Sequence, residues 1–112
     1  MNIDLTESGG GLVLALRDKR LDAAAAPAFR ERVAAAAEGG HRLLVLDLQH
    51  VEFVDSSGLG AIVSALKRLG PGRDLAIAGA RPAVRKLFQL TRMDRVFALH
   101  DDVAAALAGG AG

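Results

Sequence analysis

Residues 43–69 read LLVLDLQHVEFVDSSGLGAIVSALKRL. Leu43-Leu44-Val45-Leu46-Asp47-Leu48 is the most hydrophobic strand signal in the chain, and such a run belongs at the centre of a sheet with both faces covered. Gln49-His50 marks a bend before the apolar Val51-Phe53-Val54 segment. That segment ends in an acid and two hydroxyls, Asp55-Ser56-Ser57, and two glycines follow, Gly58 and Gly60. Leu59, Ile62, Val63 and Leu66 then recur at i, i+3, i+4 and i+7, which predicts an amphipathic helix facing the sheet. Lys67 and Arg68 suit its C-terminal end, and Gly70-Pro71-Gly72 stops it. A buried strand feeding a helix is the unit from which parallel sheets are built.

The flanking sequence repeats that unit. On the N-terminal side, Ile3 and Leu5 alternate with Asp4 and Thr6, predicting a short half-exposed strand. Ser8-Gly9-Gly10-Gly11 is a turn signal, and Leu12 to Leu16 a strand buried on both faces. So short a connection makes the pair an antiparallel hairpin. Polar Arg17-Asp18-Lys19-Arg20-Leu21-Asp22 leads to a helix for which Asp22 is the expected N-cap, with Pro27 in the first turn. Phe29, Val33, Ala36 and Ala37 form its inner face; Arg30, Glu31, Arg32 and Glu38 fall largely opposite, and Gly39-Gly40 closes it. On the C-terminal side come a strand at Leu75–Ala78 and a helix opened by Pro82, with Val84, Leu87 and Phe88 inward. A last short strand is expected at Val96–Leu99. Asp101-Asp102 can cap a final helix from Val103 to about Ala108, ahead of a Gly109–Gly112 tail expected to fray. The predicted order is β-β-α-β-α-β-α-β-α: an α/β fold, one mixed sheet with an N-terminal hairpin, parallel strands joined by right-handed crossovers, and about four helices.

Composition bounds the function. At 112 residues the chain fits one domain, and with 51% hydrophobic residues it can build a core, which without Trp or Tyr must be aliphatic. The absence of cysteine excludes disulfides and thiolate metal sites and is compatible with a reducing cytosol. A net charge of +1 gives no electrostatic case for nucleic-acid binding. Met1-Asn2-Ile3-Asp4-Leu5 lacks the features of a signal peptide, and no apolar run approaches the ~20 residues of a membrane span. A cytoplasmic protein without membrane insertion is expected.

Among chemistries available to Asp55–Gly60, a serine at a strand-to-helix turn suggests a hydrolase nucleophile, but the Gly-x-Ser-x-Gly spacing is missing. His41, His50 and His100 are scattered and suggest neither a base for Ser56 nor a metal set. Gly58 and Gly60 lack the third glycine of a dinucleotide loop, and the phosphate-binding lysine is absent too. No catalytic residue, metal or cofactor is expected. Ser56 or Ser57 can cap the helix, yet one acid and two serines exceed what a cap needs. Each glycine costs ~1 kcal/mol of helix propensity relative to Ala, which suggests clearance for an approaching partner.

Phe53-Val54-Asp55-Ser56-Ser57-Gly58-Leu59-Gly60 resembles the signature of the STAS-domain anti-sigma factor antagonists. Leu44–Leu48, Leu21-Asp22-Ala23 and Pro82-Ala83-Val84-Arg85-Lys86-Leu87-Phe88 look like the same family, so the resemblance covers nearly the whole chain. It implies a STAS domain over residues 1–108 with a flexible tail at 109–112. It also implies a non-enzymatic switch that binds an anti-sigma factor serine kinase of the GHKL type and thereby frees a sigma factor. In such proteins the kinase phosphorylates the first serine of Asp-Ser-Ser, which is Ser56 here with Ser57 second in rank, and a PP2C-type phosphatase resets it. Asp55, Ser56, Ser57, Gly58, Leu59, Gly60 and Asp22 would then meet the partner, and a monomer is expected. Asp55 is either a source of like charge beside the phosphate or a backbone cap. The alternative within the family is a STAS subunit of another assembly, such as an ABC lipid-transport complex, that docks without phosphorylation.

Two departures stand out. Lys19 or Arg20 stands where the family usually has glycine before Leu-Asp, which bears on partner identity, and Val54 stands where many members have Met. Arg81, Arg85, Lys86, Arg92 and Arg95 read as a solvated helix face or as a contact patch for an acidic partner.

Overall fold

A computed structural model describes residues 1–109; residues 110–112 of the predicted 109–112 tail lie outside the described residues. The strands are β1 (Ile3–Ser8), β2 (Gly11–Leu16), β3 (Arg20–Leu21), β4 (Leu43–Asp47), β5 (Phe53–Val54), β6 (Asp74–Ala78) and β7 (Leu99–His100). The helices are α1 (Ala26–Ala37), α2 (Ser56–Leu69), α3 (Pro82–Leu90) and α4 (Val103–Gly109), with a 3-10 turn at Met93–Arg95. Five strands form a mixed sheet in the order β1-β2-β4-β6-β7, antiparallel only between β1 and β2. This is the predicted α/β architecture, with the predicted strand β4 at its centre.

The residues explain the pairing. Gly9 and Gly10 both adopt positive φ, 57° and 83°, which a two-residue hairpin turn demands, and Ser8 faces Gly11 across it. Alternation then divides the sheet into two faces. Leu12, Leu14, Leu16, Leu44, Leu46, Leu75 and Ile77 point into the main core beneath α1, α2 and α3, where Phe29, Ile62, Val84 and Phe88 meet them. Val13, Val45, Ala76 and Ala78 point the other way and are covered by α4 through Ala106, with Val103 and Leu107 at the margin. Alanines on both sides of that second interface let a helix of two turns lie close to the sheet.

Several expectations shift by a few residues, each for a tertiary reason. Asp22 does not cap α1, which starts at Ala26. Its carboxylate instead accepts from the Ala25 amide at 3.1 Å, and its carbonyl accepts from Ala25 and Ala26, closing a turn that precedes the helix. Arg32, expected to face solvent, turns back and donates to the carbonyls of Met1 and Ile3 at 3.1 Å each, tying α1 to β1. The last strand is β7, Leu99–His100, rather than Val96–Leu99. Phe97 is buried edge-on against Phe88 with ring centroids 5.9 Å apart, so the chain must first drop into the core and can pair with β6 only afterwards. Gly109, assigned to the tail from sequence, is the last residue of α4.

On α2 the deepest positions are Gly58, Ala61, Ile62, Ala65 and Leu69, while Val63 and Leu66 are only partly buried. The stripe is rotated because α2 packs against α1 as well as the sheet, and small residues fill the side that meets α1.

Candidate functional site

The corner that presents Ser56 rests on a feature too short to show periodicity. β3 and β5 form a separate parallel pair, with Arg20 opposite Phe53 and Leu21 opposite Val54. The Lys19 carbonyl accepts from the Glu52 amide at 2.7 Å and the Leu21 carbonyl from the Asp55 amide at 3.3 Å. The Asp18–Asp22 loop and the approach to α2 are thus stitched into one structure.

Asp55 completes the stitching. It is the N-cap of α2, one carboxylate oxygen accepting from the Gly58 amide at 2.8 Å. The other oxygen accepts from the Ala23 amide at 3.2 Å, across the mini-sheet. Capping therefore falls to Asp55 and not to Ser56 or Ser57, whose hydroxyls make no hydrogen bond among the described residues. Ser56 occupies the first helical position and is exposed; Ser57 follows it, half-buried.

The two glycines separate in role. A Cβ built on Gly58 would collide with the Leu21 carbonyl, its carbon only 2.8 Å away, so the space at Gly58 is taken up inside the molecule and offers a partner no clearance. Gly60 has nothing within 4 Å of where a Cβ would stand, and it is this glycine that leaves the helix surface open. Leu59 is buried under the corner.

Arg20 gives the unusual loop its electrostatics. Its guanidinium lies over the Phe53 ring, 4.4 Å from the centroid, and its Nε is 3.2 Å from an Asp22 carboxylate oxygen. That Arg20 hydrogen bond, with help from the Ala25 amide, holds the Asp22 carboxyl below its ordinary value. Arg20 is thus a cation that caps an aromatic face and balances an acid. Sequence reasoning missed the Arg20–Phe53 contact, because only the β3–β5 pairing brings the two together.

The remaining candidates sort cleanly. Arg81 donates to the Gln49 carbonyl at 2.9 Å and Arg85 contacts Asp101 at 3.4 Å, so both are engaged within the molecule. His50 pairs with Arg17 at 3.0 Å and His41 with Glu7 at 3.2 Å. Among the described residues no group of three or more His, Cys, Asp or Glu could hold a metal ion. No helix among them is long and apolar enough to cross a membrane.

Comparison with known proteins places this corner in a wider set. The chain matches the family model described as STAS domain over residues 2–106. It is 31% identical over 65 residues to the anti-sigma F factor antagonist of Paenibacillus polymyxa, covering 57% of this chain and 56% of that protein. It is 32% identical over 72 residues to the anti-sigma-B factor antagonist of Staphylococcus aureus, covering 63% and 67%. The first curated relatives are spanned over 56–61% of their own length. The crystal structure of an anti-sigma factor antagonist from Mycobacterium paratuberculosis superposes with a TM-score of 0.88 at 27% identity, covering 96% of this chain and 92% of that one. The names carried by these relatives are those of regulatory antagonists, not of enzymes.

Proposed function

The chain belongs to the STAS domain family, and on that premise we propose that it is an anti-sigma factor antagonist switched by phosphorylation of Ser56. Unphosphorylated, it binds a GHKL-type serine kinase that also holds a sigma factor inactive, and the sigma factor is released. The kinase phosphorylates Ser56 and a PP2C-type phosphatase restores it. This exchange takes place in the cytoplasm between monomers of the antagonist and their partners.

The observation that carries the reading is an exposed serine at the first position of α2 beside a carboxylate already committed to the backbone. A kinase needs a reachable hydroxyl, and Ser56 is reachable without unfolding its surroundings. Phosphorylation adds about −1.5 to −2 charges at that point. The positive end of the helix tolerates the added charge, so the domain keeps its fold. Asp55 stands next in the chain, and its two oxygens accept from amides on both sides of the mini-sheet, so it holds its place. The effect of the phosphate is then felt by the partner, through repulsion and steric conflict, where every ~1.4 kcal/mol is tenfold in affinity.

The experiment is incubation with the candidate kinase and ATP followed by phosphosite mapping. A single phosphate on Ser56 is expected. A phosphate on Ser57 overturns the assignment to Ser56, and the absence of any phosphate overturns the switch and favours a STAS subunit that docks without modification.

A further inference from the structure

A groove of about 390 Å³ runs between α1 and the C-terminal half of α2, and it contains no residue of the Asp55–Gly60 corner. Its floor is aliphatic: Val33 and Ala65 are buried and Ala34 is half-buried. Both alanines are small, so the two helices leave a trough where longer side chains would have closed it. Ser64 stands at its edge, exposed, with a hydroxyl that makes no hydrogen bond among the described residues. An apolar trough with a few polar groups converging on it is the usual form of a small-molecule site.

Charge selects the ligand. Arg30, Lys67 and Arg68 line the groove and are exposed, and their side chains make no hydrogen bond or ion pair among the described residues. No acid is among the lining residues. Neither helix supplies one at the three- and four-residue spacing that pairs charges along a helix. Around Arg30 those positions hold Ala26, Pro27, Val33 and Ala34, and α2 has no Asp or Glu anywhere. Glu31 and Glu38, on α1 and at its C-cap, lie outside the lining. Lys67 and Arg68 also complement the C-terminal end of α2, but Arg30 stands in the N-terminal half of α1, where the helix gives a cation no such support. The other unbonded cations, Lys19, Arg42, Lys86, Arg92 and Arg95, do not line this groove, and Lys86 shares its own with Glu52. Unbalanced positive charge therefore gathers over apolar surface between α1 and α2.

We propose that this groove binds a small anionic amphiphile, an aliphatic chain ending in a carboxylate. The chain lies on Val33, Ala34 and Ala65, and the carboxylate accepts from Arg30, Arg68 and the Ser64 hydroxyl, with Lys67 adding charge beside it. Burial of the chain supplies the affinity and the guanidinium contacts fix the orientation, because exposed ion pairs alone contribute little. No aromatic ring lines the groove, so the base of a nucleotide would have nothing to stack on, whereas an aliphatic chain needs none. This is a binding function separate from the Ser56 switch.

The test is an NMR titration of the full chain with decanoate below its micellar concentration. Acetate, which has the head without the chain, and decyltrimethylammonium, which has the chain with the opposite charge, run beside it. Saturable shifts at residues 30, 33, 34, 64, 65 and 68 are expected with decanoate. Acetate at the same concentrations should give none, and decyltrimethylammonium should bind at least about tenfold more weakly. Arg30→Gln, an exposed change, should weaken decanoate roughly twofold to fivefold. Ala34→Leu fills the trough and should abolish binding, while both variants keep the wild-type spectrum away from the groove. Ser56→Asp should bind decanoate as wild type does. Equal affinity for the two amphiphiles, shifts centred elsewhere, unchanged affinity in Arg30→Gln or Ala34→Leu, or reduced affinity in Ser56→Asp overturns the proposal. So does sedimentation with phosphatidylglycerol vesicles in the absence of saturable decanoate binding, which would give the cations to a membrane surface. Because neither a kinase nor Ser56 takes part, failure here leaves the antagonist reading untouched.

Discussion

Gly58 lies so close to the carbonyl of Leu21 that no side chain fits between α2 and β3. The glycine that looked like clearance for a partner is the contact on which the Ser56 corner is assembled. Gly58→Ala must push the helix start away from the mini-sheet, and a cost of about 2–3 kcal/mol is expected in urea unfolding. Gly60→Ala meets open space at a helical position and should be neutral or stabilise by up to about 1 kcal/mol. Equal losses in the two variants would contradict this division of roles.

Asp55 holds the amides of Gly58 and Ala23 with its two oxygens, and so serves as a helix cap and a tie between loops at once. Asp55→Ala should destabilise the fold by about 1–2 kcal/mol, at the upper part of the usual capping range because two donors are released. The shift in urea midpoint measures it. A midpoint unchanged from wild type would mean that another group caps α2.

The loop cation has a titration signature. Arg20 first, and then the Ala25 amide, lower the Asp22 carboxyl in the folded state relative to its ordinary value of 3.8. A carboxyl lowered on folding adds stability above its unfolded value, and that contribution is lost as pH falls through the folded value. Titration of the Asp22 carboxyl carbon by NMR should give a midpoint below the ordinary value, and Arg20→Gln should raise it. An unmoved midpoint in Arg20→Gln would leave the Asp22 shift to the backbone amide alone.

Periodic features were legible in the sequence and tertiary ones were not. The hairpin, the central β4 and the amphipathic faces of α1 and α3 could be read because each depends on spacing within its own segment. The β3–β5 pair could not, since two-residue strands have no period and pair across a whole helix. The choice among Asp55, Ser56 and Ser57 as cap stayed open for the same reason: local sequence offers three oxygen-bearing side chains, and the Ala23 amide that favours Asp55 comes from another loop. Phe97 looked like a strand residue because its neighbours are apolar, but its place is a buried ring contact with Phe88. The basic residues on and just after α3 looked uniform until Arg81 and Arg85 were seen to be engaged, leaving Lys86, Arg92 and Arg95.

The central claim is that the charge state of Ser56 decides whether the partner is held. Its most direct measurement is the affinity of the partner kinase for wild type, Ser56→Ala and Ser56→Asp, alongside melting temperatures for all three. Ser56→Ala is expected to bind within about twofold of wild type and Ser56→Asp at least about tenfold more weakly, a difference of ~1.4 kcal/mol, while the three melt alike. Equal binding by Ser56→Ala and Ser56→Asp would contradict it.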